Sequence, residues 1–186
     1  LYVLTCMSTN VASAAGTSPG VTALAPDVPA GAYRLDLSHA SLLFRVDHLG
    51  FSRYTARFKG FDAQLDFDPA KPEAARLTAT VDTHSLETDF PFAEQLDFNA
   101  QLRGEEWLSA DEHPRMTFVS QRVVLNGSNT ATIDGELTMR GVTRPVTLEA
   151  TFNGGYAGHP MDPQARIGFS AHGVLQRSEF GMTYGI

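Results

Sequence analysis

The sequence predicts an all-β protein, an antiparallel barrel of about eight strands with one short helical insertion. Apolar and polar residues alternate with a period of two in segment after segment, which is typical of strands with one buried and one wet face. Turn signals separate these segments. The 186 residues fit one domain plus an extension, and 42% hydrophobic residues can build a core.

Seven segments carry the alternation. Their apolar positions are Leu42, Phe44 and Val46; Ala63, Leu65 and Phe67; Leu77, Ala79 and Val81; Phe118 at the head of a run to Leu125; Ile133, Gly135, Leu137 and Met139; Val146, Leu148, Ala150 and Phe152; and Ile167, Phe169, Ala171, Gly173 and Leu175. Because only one face of each strand can be buried, we expect one continuous interior. Residues expected to face it are Leu42, Phe44, Val46, Leu65, Phe67, Leu137, Met139 and Phe169.

Residues 89–109 interrupt this alternation and form the predicted helical insertion. Large apolar residues recur there, some spaced near a helical turn, and an exposed loop would not present so many to water. We expect a helical cap over the barrel, with Phe92, Leu96 and Trp107 facing inward. It is also the expected moving part that admits a long ligand.

The first 32 residues contain one charged side chain, Asp27. Residues 1–15 join an apolar run to a small-x-small site at Ala12 and Ala14, which predicts the remnant of a signal peptide and a periplasmic or secreted protein. Residues 16–32 are predicted to be a flexible linker before a domain spanning 33–186. The alternatives are an ordinary flexible N-terminus and a lipoprotein acylation site at Cys6.

Composition and motifs argue against several function classes. A net charge of −7 argues against nucleic acid binding. The sequence contains no apolar run of 18 residues, so it predicts no complete transmembrane helix. The sequence has no G-x-S-x-G, P-loop or G-x-G-x-x-G motif. No two histidines have the i, i+2 or i, i+4 spacing that would place metal ligands on one face of a strand or helix, so we predict no metal site. A three-dimensional cluster of His39, His48 and His84 stays an alternative.

Aromatic content gives the first indication of function. All 12 Phe lie between Phe44 and Phe180. Most would pack in a core, but a barrel of about eight strands either fills with side chains or holds one small ligand. Small residues on the inward faces would leave room for a ligand; they are Ala63, Ala79, Gly135, Ala150 and Ala171.

Four blocks of residues occur in an order that resembles a known family. They are Tyr33-Arg-Leu-Asp36-Leu-Ser-His39 with Ser41, Phe44, His48, Gly50 and Phe58; Leu102-Arg103 with Trp107-Leu108, Pro114 and Phe118; Gly135-Glu-Leu-Thr138-Met-Arg-Gly141-Val-Thr143-Arg-Pro145-Val; and Arg177-Ser-Glu-Phe180-Gly181. The chain resembles the YceI-like family of lipocalin-like barrels that bind polyisoprenoid lipids. It departs from that family at Asn99-Ala-Gln101-Leu102, where members usually carry Asp-x-His-Leu, and at Trp107, where Phe is common. The resemblance also places a closing strand beyond Ile186.

The resemblance implies a binding protein rather than an enzyme. It would bind, carry or sequester a polyisoprenoid quinone or polyprenyl phosphate in the cell envelope, in a stress response, with no other cofactor and with a possible homodimer and transient membrane contact. Arg177 would either bind the lipid head group or close the barrel through a salt bridge to Asp36 or Glu179. The candidate lipid-binding residues are Leu42, Phe44, Val46, His48, Phe58, Leu65, Phe67, Phe92, Leu96, Trp107, Phe118, Leu137, Met139, Phe169, Leu175, Arg177 and Phe180.

Two alternatives belong to other classes. The first is an envelope enzyme at the barrel mouth, with His48 or His84 as a base beside Asp82 or Asp89. The second is an outer-membrane barrel, whose strands also alternate but turn their apolar residues outward.

Overall fold

The computed structural model describes residues 28–184 and confirms the all-β, lipocalin-like class. This part of the chain contains ten strands and a short α-helix. The strands are β1 Gly31–Arg34, β2 Leu42–His48, β3 Ser52–Phe58, β4 Phe61–Phe67, β5 Arg76–Asp82, β6 Leu86–Glu87, β7 Arg115–Leu125, β8 Thr130–Met139, β9 Val142–Tyr156 and β10 Arg166–His172. The helix α1 is Phe98–Arg103, and 3-10 turns occupy Leu37–His39, Pro72–Ala74, Thr83–Ser85 and Arg177–Phe180.

Seven strands form one antiparallel sheet in the order β1-β4-β5-β7-β8-β9-β10, which curls into a half-barrel. The remaining strands form a smaller sheet in the order β2-β3-β6. Register shifts between Ser120 and Arg122 and between Gly168 and Phe169 mark bulges, which bend strands and increase the twist of a sheet. The apolar face of β2 shares one interior with the large sheet, so the small sheet covers its open side.

The predicted strand phase is confirmed. All eight residues expected to face a continuous interior, from Leu42 to Phe169, lie in the wall of one cavity. Charged residues between them, such as Arg45, Asp66 and Glu136, are exposed, whereas Leu43 is half-buried and also lies in the cavity wall. A membrane barrel requires the opposite arrangement of apolar and polar faces.

Two packed clusters lie toward opposite ends of β5, β7 and β9, the strands that take part in both. Tyr33, Phe67 and Ile167 belong to the first cluster, and Met139 and Phe180 belong to the second. Strand β9 contributes to both, because its Phe152 packs in the first cluster while its Val142 and Val146 pack against the second. The clusters therefore hold the two ends of the barrel and leave its middle to a cavity.

The fold begins before the predicted domain boundary at residue 33. Val28 is only 4% exposed and packs in the first cluster, and β1 starts at Gly31. The hydroxyl of Tyr33 donates to the carbonyl of Pro29 at 2.5 Å, and burial raises the pKa of Tyr33 to about 12. Residues 28–32 of the predicted linker therefore belong to the folded domain. The rest of the predicted linker and the signal-peptide remnant at 1–15 lie outside the described residues. Within residues 28–184 no helix has the length and apolar character to cross a membrane.

An ionic network joins the two edges of the large sheet. In β10, the Nη1 atom of Arg166 donates to Oδ2 of Asp36 at 2.6 Å, and its Nε atom donates to Asp162. The hydroxyl of Tyr156 also donates to Asp162, at 3.1 Å. Asp36 follows β1 and accepts from the backbone N–H of Ser38 at 3.0 Å. Arg166 thus ties the β1–β2 connection to the β9–β10 hairpin.

We expect Arg166→Met to lower the melting temperature at pH 7 by roughly 5–10 °C. The substitution leaves the carboxylates of Asp36 and Asp162, whose side chains are 17% and 27% exposed, without their shared cation. Thermal unfolding checks this against Arg122→Met, which removes an arginine from an Arg–Asp pair on the outer surface, where Arg122 is 71% exposed. Equal losses in the two variants would contradict a special role for the network.

Comparison of the unaltered protein with Arg166→Met also gives a prediction about pH. The hydrogen bond from Arg166 lowers the pKa of Asp162, so the folded state favours the ionised carboxylate. This contribution is present above the unfolded pKa of about 3.9 and is lost as the pH falls through the lower folded pKa. We therefore expect the difference in melting temperature between the unaltered protein and Arg166→Met to shrink below about pH 4.

Candidate functional site

A cavity of about 330 Å³ lies inside the barrel and reaches residues of both packed clusters. Its wall comes from strands of both sheets and from the segment that follows α1. Among the described wall residues, Asp62 and Arg177 are the only charged ones. A cavity with so few polar groups favours an apolar ligand, since a polar one would lose its hydrogen bonds to water.

Small side chains stand in rows across the strands. Ala131, Ala150 and Ala171 are register partners on β8, β9 and β10, and all three lie in the wall. Ala63 and Ala79 are partners on β4 and β5 and also lie in the wall. The predicted small residues on these strands therefore face the cavity, where larger side chains would fill it.

Gly135 is the exception among the predicted small residues. A methyl group at this position would lie 2.8 Å from Cε2 of Phe118 and 2.5 Å from the carbonyl oxygen of Val119. The ring of Phe118 occupies the space that the missing side chain leaves. Gly135 therefore makes room for Phe118 rather than for a ligand.

Most of the predicted lipid-binding residues meet in the cavity wall. These are Leu42, Phe44, Val46, Phe58, Leu65, Phe67, Trp107, Phe118, Leu137, Met139, Phe169, Leu175 and Arg177. Their contact with a lipid stays a prediction. Further wall residues that the prediction omitted, such as Leu77, Val81 and Leu148, lie on the same alternating faces and could have been found by that signal.

Four predicted residues lie elsewhere. His48 continues the inward phase of β2 but is exposed at the hairpin end, where its ring meets the edge of Phe51. Phe92 and Leu96 are 55% and 42% exposed. They belong to a separate turn, in which the backbone N–H of Leu96 donates to the carbonyl of Phe92 at 3.2 Å. Phe180 is 1% exposed in a 3-10 turn and packs in the second cluster rather than against the cavity.

Arg177 and Trp107 form the polar end of the wall. The guanidinium carbon of Arg177 lies 5.0 Å from the centre of the Trp107 ring, a cation–π distance. Arg177 also donates to the carbonyl of Tyr184 at 2.7 Å. The indole N–H of Trp107 is buried without a hydrogen-bond partner among the described residues. Asp36, one partner predicted for Arg177, is instead bound to Arg166.

Asn99 anchors the helix α1 to β6. Its Oδ1 accepts from the backbone N–H and the hydroxyl of Thr88, at 2.8 and 2.6 Å, and its Nδ2 donates to Glu87 at 3.0 Å. Hydrogen bonds from Asn99 and from the backbone N–H of Asp89 lower the pKa of Glu87 to about 2. The position where the sequence departs from the resembled family therefore has a structural role here.

Of the residues named for the enzyme alternative, His84 and Asp82 come close together, and both are exposed. Asp111, which was not predicted, also contacts His84. His84 Nε2 is 2.9 Å from Asp111 Oδ1, and its Nδ1 is 3.6 Å from Asp82 Oδ1. The side chain of Asp111 is fully exposed, and no histidine among residues 28–184 lines the cavity. In the same range, no three His, Cys, Asp or Glu side chains come together as metal ligands would.

Comparison with known proteins gives one consistent result. Residues 33–186 match the model of the YceI-like domain. A UPF0312 protein of Pseudomonas putida (strain GB-1) is 35% identical over 157 residues, which are 82% of this chain and 77% of that protein. A UPF0312 protein of Pseudomonas savastanoi pv. phaseolicola is 34% identical over 77% of this chain and 71% of that protein.

Solved structures agree with these sequence matches. The crystal structure of a Campylobacter jejuni YceI protein has a TM-score of 0.62 and 29% identity, covering 79% of this chain and 82% of that chain. The structure of Burkholderia cenocepacia BcnA has a TM-score of 0.59 at 24% identity, covering 76% and 99%. The second similarity shows the fold alone.

Proposed function

The chain belongs to the YceI-like family, whose fold is known for binding hydrophobic ligands, and on that premise we propose that it carries or sequesters a polyisoprenoid amphiphile. The ligand would be of the polyprenyl quinone or polyprenyl phosphate type, with its chain inside the barrel. The observation that carries the proposal is the apolar cavity, with Asp62 and Arg177 as its only charged wall residues in the described part of the chain.

The physics of the cavity supports a long apolar chain. An isoprenoid tail has no polar atoms, so burying it is favourable by ~25 cal/mol per Å². Binding would then depend on buried area, with one polar contact to fix the head group. Arg177 offers that contact, because its fork of donors matches a phosphate or a quinone oxygen.

A carrier role needs no chemistry from the protein. Most side chains that converge on the cavity are apolar, and the described His–Asp pairs lie outside it. We therefore propose a binding protein rather than an enzyme. The apolar run and the small-x-small site of residues 1–15 support a place for it in the cell envelope.

Native mass spectrometry of the full-length protein from its own host tests the proposal. We expect a complex that retains an apolar ligand, and organic extraction should release a polyprenyl compound. Retention of ordinary phospholipid alone would contradict the polyisoprenoid class. Absence of any ligand, together with failure to take up an added polyprenyl quinone or polyprenyl phosphate, would contradict the carrier function.

The head-group contact has a separate test. We expect Arg177→Met to weaken binding of a polyprenyl phosphate by roughly tenfold, since a hydrogen bond to a charged group is lost. Binding of the polyprenol with the same chain should change little, because the alcohol carries no charge. Competition between the two lipids measures this difference. Equal losses for both lipids would mean that Arg177 holds the barrel end rather than the head group.

A further inference from the structure

The β2–β3 hairpin ends in two exposed apolar side chains. Leu49 is 79% exposed and Phe51 is 78% exposed. The turn is tight, with positive φ angles of 51° at Leu49 and 74° at Gly50. The backbone N–H of Phe51 donates to the carbonyl of His48 at 3.3 Å and closes it. We call Leu49, Gly50 and Phe51 the hairpin tip.

Leucine is unfavourable at position 49 of a water-exposed turn for two reasons, its backbone conformation and its apolar side chain. A turn with positive φ at both central positions favours Asn-Gly, and a bulky side chain in the left-handed region is an outlier. Asparagine would also be better solvated at such an exposed position. Leucine at this position combines backbone strain with exposure of an apolar side chain to water. The exposure is relieved when the hairpin tip enters an apolar medium or meets an apolar surface.

The hairpin tip is continuous with the cavity. Leu42, Phe44 and Val46 on the inner face of β2 lie in the cavity wall. Val46 is also 38% exposed, so the wall meets accessible space three residues before Leu49. On this face of β2 only His48, whose ring contacts that of Phe51, lies between the cavity wall and the hairpin tip.

We propose that the hairpin tip inserts into the surface of a lipid bilayer and that the ligand of the cavity is exchanged there. The exchange step rests on the proposed function. A stable protein interface buries about 800 Å² on each partner with shape complementarity, which a convex tip with two side chains does not offer. A bilayer receives a few apolar side chains without a matching surface.

The backbone and the flanking charges of the hairpin suit insertion. The ladder pairs residues 42–48 with residues 52–58 up to the turn, so the strands beside the hairpin tip satisfy each other's polar groups. Hydrocarbon requires this, because it offers no hydrogen bonds. Arg53 donates to Asp47 at 3.1 Å, so these two charges would enter the head-group region as a pair. Arg45 would lie at the same level, where long cationic side chains are stable.

Flotation of the full-length chain with phosphatidylcholine vesicles tests the proposal. We expect the double variant Leu49→Asn/Phe51→Ser to lower the partition coefficient of the protein onto vesicles by roughly tenfold or more. The control is Val119→Ser/Val124→Ser, which removes two apolar side chains, 45% and 41% exposed, from β7 in the middle of the large sheet. The control should keep its vesicle binding, and thermal unfolding should show both proteins folded.

The outcomes separate the two proposals. Equal losses in the two variants, or no vesicle binding by the unaltered protein, would overturn insertion. A change of oligomeric state in the hairpin variant with no change in vesicle binding would also overturn it and assign the hairpin tip to a second copy of the chain. Tip-dependent vesicle binding by a protein that takes up no polyprenyl lipid would support insertion and overturn the carrier function.

Discussion

Replacing Ala79 with phenylalanine is expected to abolish retention of the isoprenoid ligand and leave the barrel folded. Ala79 lies in the cavity wall between Ala63 on β4 and Phe118 on β7. A phenyl ring there would project into the cavity of about 330 Å³ and take up space that the ligand needs. Because the ring fills empty space, we expect the melting temperature to stay the same or rise while retained ligand falls at least about tenfold.

The neighbouring residue supplies the control. Thr78 is exposed on the outer face of the same strand, so Thr78→Phe adds the same ring outside the barrel. Quantified lipid extraction from both variants makes the comparison, and the Thr78 variant should retain its ligand. Full retention in a folded Ala79→Phe variant would place the ligand outside the cavity. If that variant unfolds, Ala171→Phe on β10 tests the same wall from another strand.

The cavity wall could be predicted from the sequence because strand phase determines it. Once one face of a strand is buried, every second residue must face the same interior, as at Leu65 and Phe67. β3 carried the same signal in Tyr54, Ala56 and Phe58, and the prediction missed it. β1 and β6 span four and two residues, which is too short for a period of two to appear.

The ends of the barrel could not be predicted in this way. His48 keeps the inward phase of β2, yet the strand has passed the cavity rim by that point, and no local pattern records where the rim lies. In the segment 89–109 only residues 98–103 are helical, so helical spacing misplaced Phe92 and Leu96. The ionic network around Arg166 depends on Asp36, which is 130 residues away in sequence.

Gly135 shows where phase alone is insufficient and gives the second large effect. The sequence places it on the inward face, where a small residue suggests room for a ligand, but the structure fills that room with Phe118. We expect Gly135→Val to reduce the free energy of unfolding by about 3 kcal/mol. The ring of Phe118 could rotate away from a new side chain, but the carbonyl of Val119, 2.5 Å from the added Cβ, belongs to the β7–β8 ladder and cannot.

Glu136→Val is the matched control, because Glu136 is the next residue of β8 and is exposed. Valine favours strands, so this variant should be as stable as the unaltered protein in urea unfolding. A Gly135→Val protein of unchanged stability would show that β7 and β8 can separate locally without loss. We also expect the folded Gly135→Val protein to retain less ligand, since Phe118 lies in the cavity wall and its displaced ring would move into the cavity.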